Sequence, residues 1–309
     1  MSGSKIYTFA SLSRGESLGI RVGGPGLGNL LFPWARSVAF AKKHGLPRIS
    51  STWRTVKIGP LLRGEFDKRA YSDLFDERQI SGIEKFFLLN FGEKVKEEDA
   101  LEALEVKSQR PKVILFEGME RLFKPILDDH AVIKEELLKM VFDHHKNAAE
   151  RFKADGISVH IRMGDFSIPP SEEHLREGHW NYRLPLRWYI SVIEKIRNAA
   201  GSSIPVYIFS DGSDEELKEI LDLPNTEKVF FGSAIGDMLA LSRSRVLVAS
   251  ASTFSMWASY LGRMPVIWYP GLHRMKLYLD TATFEGTLDY DENVPESLKT
   301  ALIGPSTAT

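Results

Sequence analysis

The sequence predicts an α/β protein of two domains, the second built on a parallel, doubly wound sheet. Three observations carry this. The chain has 309 residues, enough for two domains at ~150 residues each. From residue 157 onward, short apolar runs alternate with segments of helical period. The connections between them are short, and the apolar runs suit strands buried on both faces, which a parallel sheet covered by helices requires.

The elements follow in order. LGIRV (18–22) reads as a short strand and leads into the glycine cluster Gly23 to Asn29. LLFPWARSVAFAKKHGL then reads as a helix. Leu31, Trp34, Val38 and Ala41 keep the helical period, Pro33 sits in the first turn where its missing N–H does no harm, and Gly45 and Pro47 stop the helix. The basic, aromatic stretch Thr52 to Tyr71 shows no clear period. KVILFEG (112–118) reads as a buried strand, and Glu120 to Phe152 as largely helical. Beyond it come ISVHI (strand), PLRWYISVIEKIRNA (helix), PVYIFS (strand), DEELKEIL (helix), EKVFF (strand), IGDMLALSRS (helix), RVLVAS (strand), FSMWASYLG (helix) and MPVIWY (strand). The domain boundary is expected near residues 140–156, giving domains 1–145 and 146–309.

Composition removes whole classes of function. With 40 Lys+Arg against 41 Asp+Glu, no global positive field holds a nucleic acid or an anionic membrane. With no cysteine, there are no disulfides, thiolate nucleophiles or Cys-type metal sites. The N-terminus carries no apolar stretch of signal-peptide length, and the longest uncharged run, Val246 to Gly262, is too short and too rich in serine to span a bilayer. A soluble, cytoplasmic protein is expected.

Four segments at strand ends could carry chemistry. The first is the glycine turn with Gly28 and Asn29, where backbone N–H groups and a helix dipole can cradle an anion, or which simply forms a tight turn. The dinucleotide fingerprint fails because Asn29 stands where a glycine is needed. The second is His160-Ile161-Arg162-Met163-Gly164-Asp165, where Arg162 can offer a phosphate two charge-assisted hydrogen bonds, or close a loop by pairing with Asp165. The third is Phe209-Ser210-Asp211-Gly212, whose polar groups suit a ribose, a base edge or a cap on the next helix. The fourth runs from Ser250 through Ser252, Thr253, Phe254 and Ser255, hydroxyls gathered at a helix N-terminus that suits a diphosphate without a metal. Asp237 either caps the helix before it or accepts from a guanine edge. Asp289-Tyr290-Asp291 matches a D-x-D pattern that can hold a divalent ion, with a solvated acidic loop as the simpler reading. His144 and His145 read as a surface pair, and His174 and His179 fall in a polar loop. Aromatic residues in Trp53 to Tyr71 and Trp180 to Trp188 suit either sugar stacking or core packing.

Taken in order, the four segments resemble the fucosyltransferase superfamily, most closely the bacterial α-1,2-fucosyltransferases of glycosyltransferase family 11. Gly26-Leu27-Gly28-Asn29 looks like that family's opening glycine–asparagine turn, and His160-Ile161-Arg162-Met163-Gly164-Asp165 like its His-x-Arg-Arg-x-Asp hallmark. Phe209-Ser210-Asp211 and Ala251-Ser252-Thr253-Phe254-Ser255-Met256-Trp257 match two further motifs. Met163, Ala251 and Met256 depart from the pattern, standing for its second arginine, an asparagine and a tryptophan. The protein O-fucosyltransferase branch also lacks that second arginine.

The resemblance implies a GT-B-like fold, two Rossmann-like domains with mostly parallel sheets facing a cleft. It implies GDP-fucose as donor, a glycan acceptor, inversion at the anomeric carbon, and no metal or other cofactor. A lipid-linked acceptor would bring peripheral membrane contact. Arg162 would hold the donor diphosphate and Asp165 would serve catalysis. Gly28, Asn29, His160, Ser210, Asp211, Asp237, Ser252, Thr253, Phe254 and Ser255 would line the donor site.

Overall fold

The computed structural model describes residues 5–13, 16, 21–22, 24–56, 71, 73–280 and 282–303. The chain divides into two compact units, Met1–Asp143 and His144–Thr309. Each is an α/β unit with a parallel sheet.

The first unit centres on β1 (Ile6–Ala10) and β6 (Lys112–Phe116), which pair in parallel over their full lengths. β3 (Arg48–Ile49) flanks β1 and β5 (Glu93–Lys96) flanks β6, giving the order β3-β1-β6-β5. The stretch read as the first strand contributes only Arg21–Val22 to the description, as β2, and β2 pairs with β4 (Thr55–Val56) in a separate two-stranded sheet. Leu18 to Ile20 and residues 57–70 of the aromatic stretch lie outside the described residues. The helix expected after the glycine turn is α1 (Leu27–His44), which buries Leu31, Trp34, Val38 and Ala41 and ends at a left-handed Gly45. Arg36 on α1 reaches the carboxyl end of β6, donating to Glu97 at 2.9 Å and to the Glu117 and Gly118 carbonyls. α2 (Gly82–Phe91) and α3 (Ala100–Glu105) complete the middle of the unit.

A buried charged cluster lies where the chain leaves β1 and β3. Arg21 donates to the Thr52 carbonyl at 2.6 Å, and Lys85 Nζ donates to the Ser50 carbonyl at 2.6 Å and the Thr52 hydroxyl at 2.8 Å. Glu16 accepts from the Ser13 N–H. Burial pushes the Glu16 carboxyl up to about 7, against the pull of that hydrogen bond and of Arg21 and Lys85. Gly24 has φ +110° and lies against Arg21, whose Nη1 would stand 3.1 Å from an added Cβ.

The long segment read as one helix is broken. α4 (His130–Met140) stops at Val141, which bridges to Phe75, and α5 (Asp143–Glu150) begins after it.

The second unit holds β7 (Ile157–Ile161), β8 (Val206–Ser210), β9 (Thr226–Lys228), β10 (Val246–Val248), β11 (Val266–Trp268) and β12 (Glu285–Thr287). They form one six-stranded sheet, β12-β11-β10-β7-β8-β9, with every pairing parallel. Its helices are α6 (Glu172–Arg176), α7 (Leu186–Ala200), α8 (Lys218–Leu221), α9 (Ala234–Leu241), α10 (Thr253–Gly262) and α11 (Glu296–Ile303). α7 is strongly amphipathic: Trp188, Tyr189, Val192, Ile193 and Ile196 join the sheet's apolar core. This is the predicted α/β class with parallel sheets. Among the described residues, no helix is long and apolar enough to cross a membrane.

Candidate functional site

Strand order decides where a site can form in the second unit. From β7 the chain proceeds outward through β8 to β9, then returns to the other side of β7 for β10, β11 and β12. The order reverses between β7 and β10, and in open α/β sheets such a reversal opens a crevice beyond the strands' carboxyl ends. The segments leaving those two ends are His160–Asp165 and Ala249–Ser255.

Their inner layer is a buried hydrogen-bonded cluster. His160 Nδ1 meets the Ser255 hydroxyl at 2.7 Å and the Ser250 hydroxyl at 2.8 Å. Ser250 also meets Ser252 at 2.9 Å and Ser255 at 3.1 Å. Ser252 is the N-cap of α10 and accepts from the Ser255 N–H at 3.2 Å. The His160 ring stacks on Phe254 at 5.0 Å, and its carbonyl accepts from the Tyr189 hydroxyl at 3.2 Å. Burial holds the imidazole down at about 3, with Asp211 opposing and Arg162 adding to the shift, so it is neutral at physiological pH. A neutral ring with two hydroxyl partners ties the exit of β7 to the start of α10. The hydroxyls of Ser252 and Ser255, read from sequence as phosphate or ribose contacts, are buried and spent in this cluster. Thr253 and Phe254 are the half-exposed residues of the first turn of α10.

The outer layer is Arg162. Its guanidinium lies between two carboxylates, Nη1 donating to Asp211 and Nη2 to Asp165, with the Phe166 ring 5.6 Å away. Asp211 Oδ1 also accepts from the Met163 N–H at 2.8 Å, so this residue orders both the loop backbone and the arginine. Arg162 closes a loop with Asp165, as the simpler of its two readings has it, and stays partly accessible, its side chain 22% exposed. A Cβ on Gly164 would stand 2.4 Å from Asp211 Oδ2, so a larger residue here would push that carboxylate aside. Met163, which replaces the second arginine of the hallmark, is buried and packs against Gly212.

The remaining residues separate. Ser210 accepts from the Gly212 N–H at 3.0 Å. Capping of the turn before α8 falls to Ser213 and Glu216, which exchange hydrogen bonds, leaving Asp211 for Arg162. Asp237 does not cap α9. Ser233 does, while Asp237 accepts from the Phe231 N–H at 2.7 Å. Gly28 and Asn29 belong to the first unit and lie inside the first turn of α1, whose N-cap is Gly26. Asp289 is not a solvated acid but half of an ion pair. Both its oxygens accept from Arg176, which holds its carboxyl below the usual range. His145 is buried and meets Ser233 at 2.8 Å, so the expected surface pair is half interior. Trp53, Tyr71 and Trp188 are core residues, and Arg274 covers the Trp180 ring at 3.5 Å. Sequence reading gathered Ser250 with the other hydroxyls of this turn but did not count it among the residues lining the donor site. It also passed over Gly164, whose role depends on Asp211 from another strand.

Residues 114–267 match the model of glycosyl transferase family 11. This segment is similar to the family 11 glycosyl transferases. It covers about half of the chain and contains His160–Asp165, Asp211 and Ser250–Ser255. No curated protein matches the chain. Among solved structures, the fucosyltransferase NodZ from Bradyrhizobium is similar at 16% identity, over 84% of this chain and 93% of that one, with a TM-score of 0.48. NodZ α-1,6-fucosyltransferase co-crystallised with GDP is similar at 15% identity, over 84% and 93%, with a TM-score of 0.48. POFUT1 in its apo form is similar at 13% identity, over 87% and 99%, with a TM-score of 0.47.

Proposed function

We propose that the chain transfers fucose from GDP-fucose to a glycan hydroxyl, with inversion and without a metal. On this reading it forms an α-1,2 linkage, as the branch it resembles most does, and acts in the cytoplasm on a free or lipid-linked acceptor. The second unit takes the nucleotide and the first the acceptor. The observation that carries the reading is that the segment bearing Arg162 leaves β7 beside the N-terminus of α10, where His160 bonds to Ser250 and Ser255, at the reversal between β7 and β10.

The chemistry follows from that meeting. As the glycosidic bond breaks, negative charge grows on the leaving diphosphate. Arg162 has five N–H donors and spends few of them on Asp165 and Asp211. The first turn of α10 adds the positive end of a helix dipole. The buried His160–serine cluster keeps that helix end in register with Arg162 and takes no charge itself. On this reading Asp165, half exposed beside Arg162, accepts the acceptor's proton. Glu172 is committed elsewhere, to Arg187, Tyr269 and Tyr290.

Replacing Arg162 by Ala should lower GDP release by about 10²–10³-fold, the usual effect of deleting one such donor, while the melting temperature changes little. Near-wild-type turnover would sink the assignment. In a thermal-shift panel, GDP at a hundred times its Kd should add about 2.7 kcal/mol; a response to UDP alone overturns the donor. Transfer should need no added Mg²⁺ or Mn²⁺, and a rate that rises in proportion to either ion would overturn the metal-free mechanism.

A further inference from the structure

The loop between β7 and α7 carries a group of side chains that the transfer chemistry leaves unused. Its short helix α6 is capped by Ser171, which accepts from the His174 N–H at 3.2 Å. The helix closes at Gly178, where φ is +90° and the N–H donates to the Leu175 carbonyl at 3.0 Å. Three ties hold the loop in place. Leu175 is buried in the core of the unit. Arg176 engages both oxygens of Asp289. Glu172 accepts from Arg187 at 2.8 Å, from Tyr269 at 3.1 Å and from Tyr290 at 3.2 Å.

On this fixed loop the rings of His174 and His179 stack face to face, 3.8 Å apart and 6° from parallel. Tyr182 closes the far side of His174, edge-on at 5.1 Å. Glu177 Oε2 lies 3.5 Å from His179 Nε2. Among the described residues, neither imidazole donates to or accepts from any other protein group through its ring nitrogens. One potential ligand atom from each of His174, Glu177 and His179 lies within 4.8 Å of the others. Two unspent imidazoles and a carboxylate, brought together by a loop tied down at three other residues, are a donor set in search of a cation.

We propose that His174, Glu177 and His179 bind a divalent first-row cation, with Zn²⁺ the first candidate. Two neutral nitrogens and one carboxylate oxygen are the ligands such ions favour, whereas Mg²⁺ and Ca²⁺ select oxygen. Bonds of ~2.0–2.1 Å to a tetrahedral ion need ligand atoms about 3.3 Å apart. Parallel rings cannot both aim an in-plane lone pair at one ion, so binding requires the exposed His179 ring to turn out of the stack, with the exposed Glu177 carboxylate following it. Three protein ligands leave a fourth position for water. The ion would cross-link the two sides of Gly178, stiffening the loop that leaves β7 after Arg162. The proposal does not rest on the glycosyl-transfer reading.

The test uses the full chain without a polyhistidine tag, stripped with EDTA and dialysed. Zn²⁺ is titrated in competition with a chromophoric chelator, and circular dichroism confirms folding. One equivalent should bind. His174→Ala and His179→Ala should each weaken binding at least tenfold, Glu177→Gln several-fold, and Mg²⁺ should not compete. The control His144→Ala should leave binding intact. The proposal fails if wild type takes up no zinc, if the His174→Ala/His179→Ala double variant binds as tightly as wild type, or if His144→Ala abolishes binding. Because the readout is binding, its failure leaves the transferase reading standing, and the reverse.

Discussion

Replacing His160 by Phe isolates what the buried imidazole contributes. The phenyl ring keeps the stack on Phe254 and removes Nδ1 from Ser255 at 2.7 Å and Ser250 at 2.8 Å. Two buried hydrogen bonds at about 1 kcal/mol each set the loss near 2 kcal/mol at pH 7. The serines still bond to one another, which keeps it from growing larger. The pH dependence is sharper. In the unfolded chain the imidazole takes a proton near pH 6.5, and in the folded protein only near about 3. The unfolded state therefore gains protons first as pH falls, so His160 stabilises the fold above pH 6.5 and loses that contribution below it. Between pH 7 and pH 5 the wild type should lose about 2 kcal/mol through this group alone. The variant has nothing to titrate there, and every other group is common to both proteins. Urea titrations followed by tryptophan fluorescence should show the gap at pH 7 closing at pH 5. A gap that stays constant would mean that His160 is not held neutral by burial, and the account of the cluster would fail.

Two further outcomes test other parts of the structure. Gly164→Ala puts a methyl 2.4 Å from Asp211 Oδ2; it should cost under about 1 kcal/mol of stability, since a side chain can swing away, yet lower turnover at least tenfold by displacing Asp211 from Arg162. Unchanged turnover would show that the arginine needs no such clamp. Glu16 has the opposite pH sign to His160. Its carboxyl is raised to about 7 in the fold, so the stability it lends is present below pH 4.5 and is lost as pH rises through 7. Glu16→Gln should therefore gain on wild type by about 2–3 kcal/mol between pH 5 and pH 8 in urea titrations, and no relative gain would place that carboxyl in contact with water.

Sequence alone determined the parallel architecture of the second unit, because strands covered by helices on both faces are continuous apolar runs. ISVHI, PVYIFS and MPVIWY are legible without partners. It also singled out Arg162 at the end of an apolar strand, where the structure pairs it with Asp165 and Asp211. It missed β1, because IYTFA follows a polar N-terminus and is recognisable only once it pairs with both β3 and β6. It did not show that Arg21 lies beside Gly24, since nothing local places that side chain there.

Tertiary structure decided how each polar group is used. Asp211 and Ser213 are equally good caps by sequence, yet the pairing of β8 with β7 brings Asp211 to Arg162 and leaves the cap to Ser213. The hydroxyls of Ser250, Ser252 and Ser255 look alike as phosphate ligands, but the pairing of β10 with β7 turns them inward onto His160. The physical reason is one of range. Apolar periodicity is written within a few neighbouring residues, whereas a hydrogen-bond partner is chosen by strand order and reaches across 90 residues of chain from His160 to Ser250.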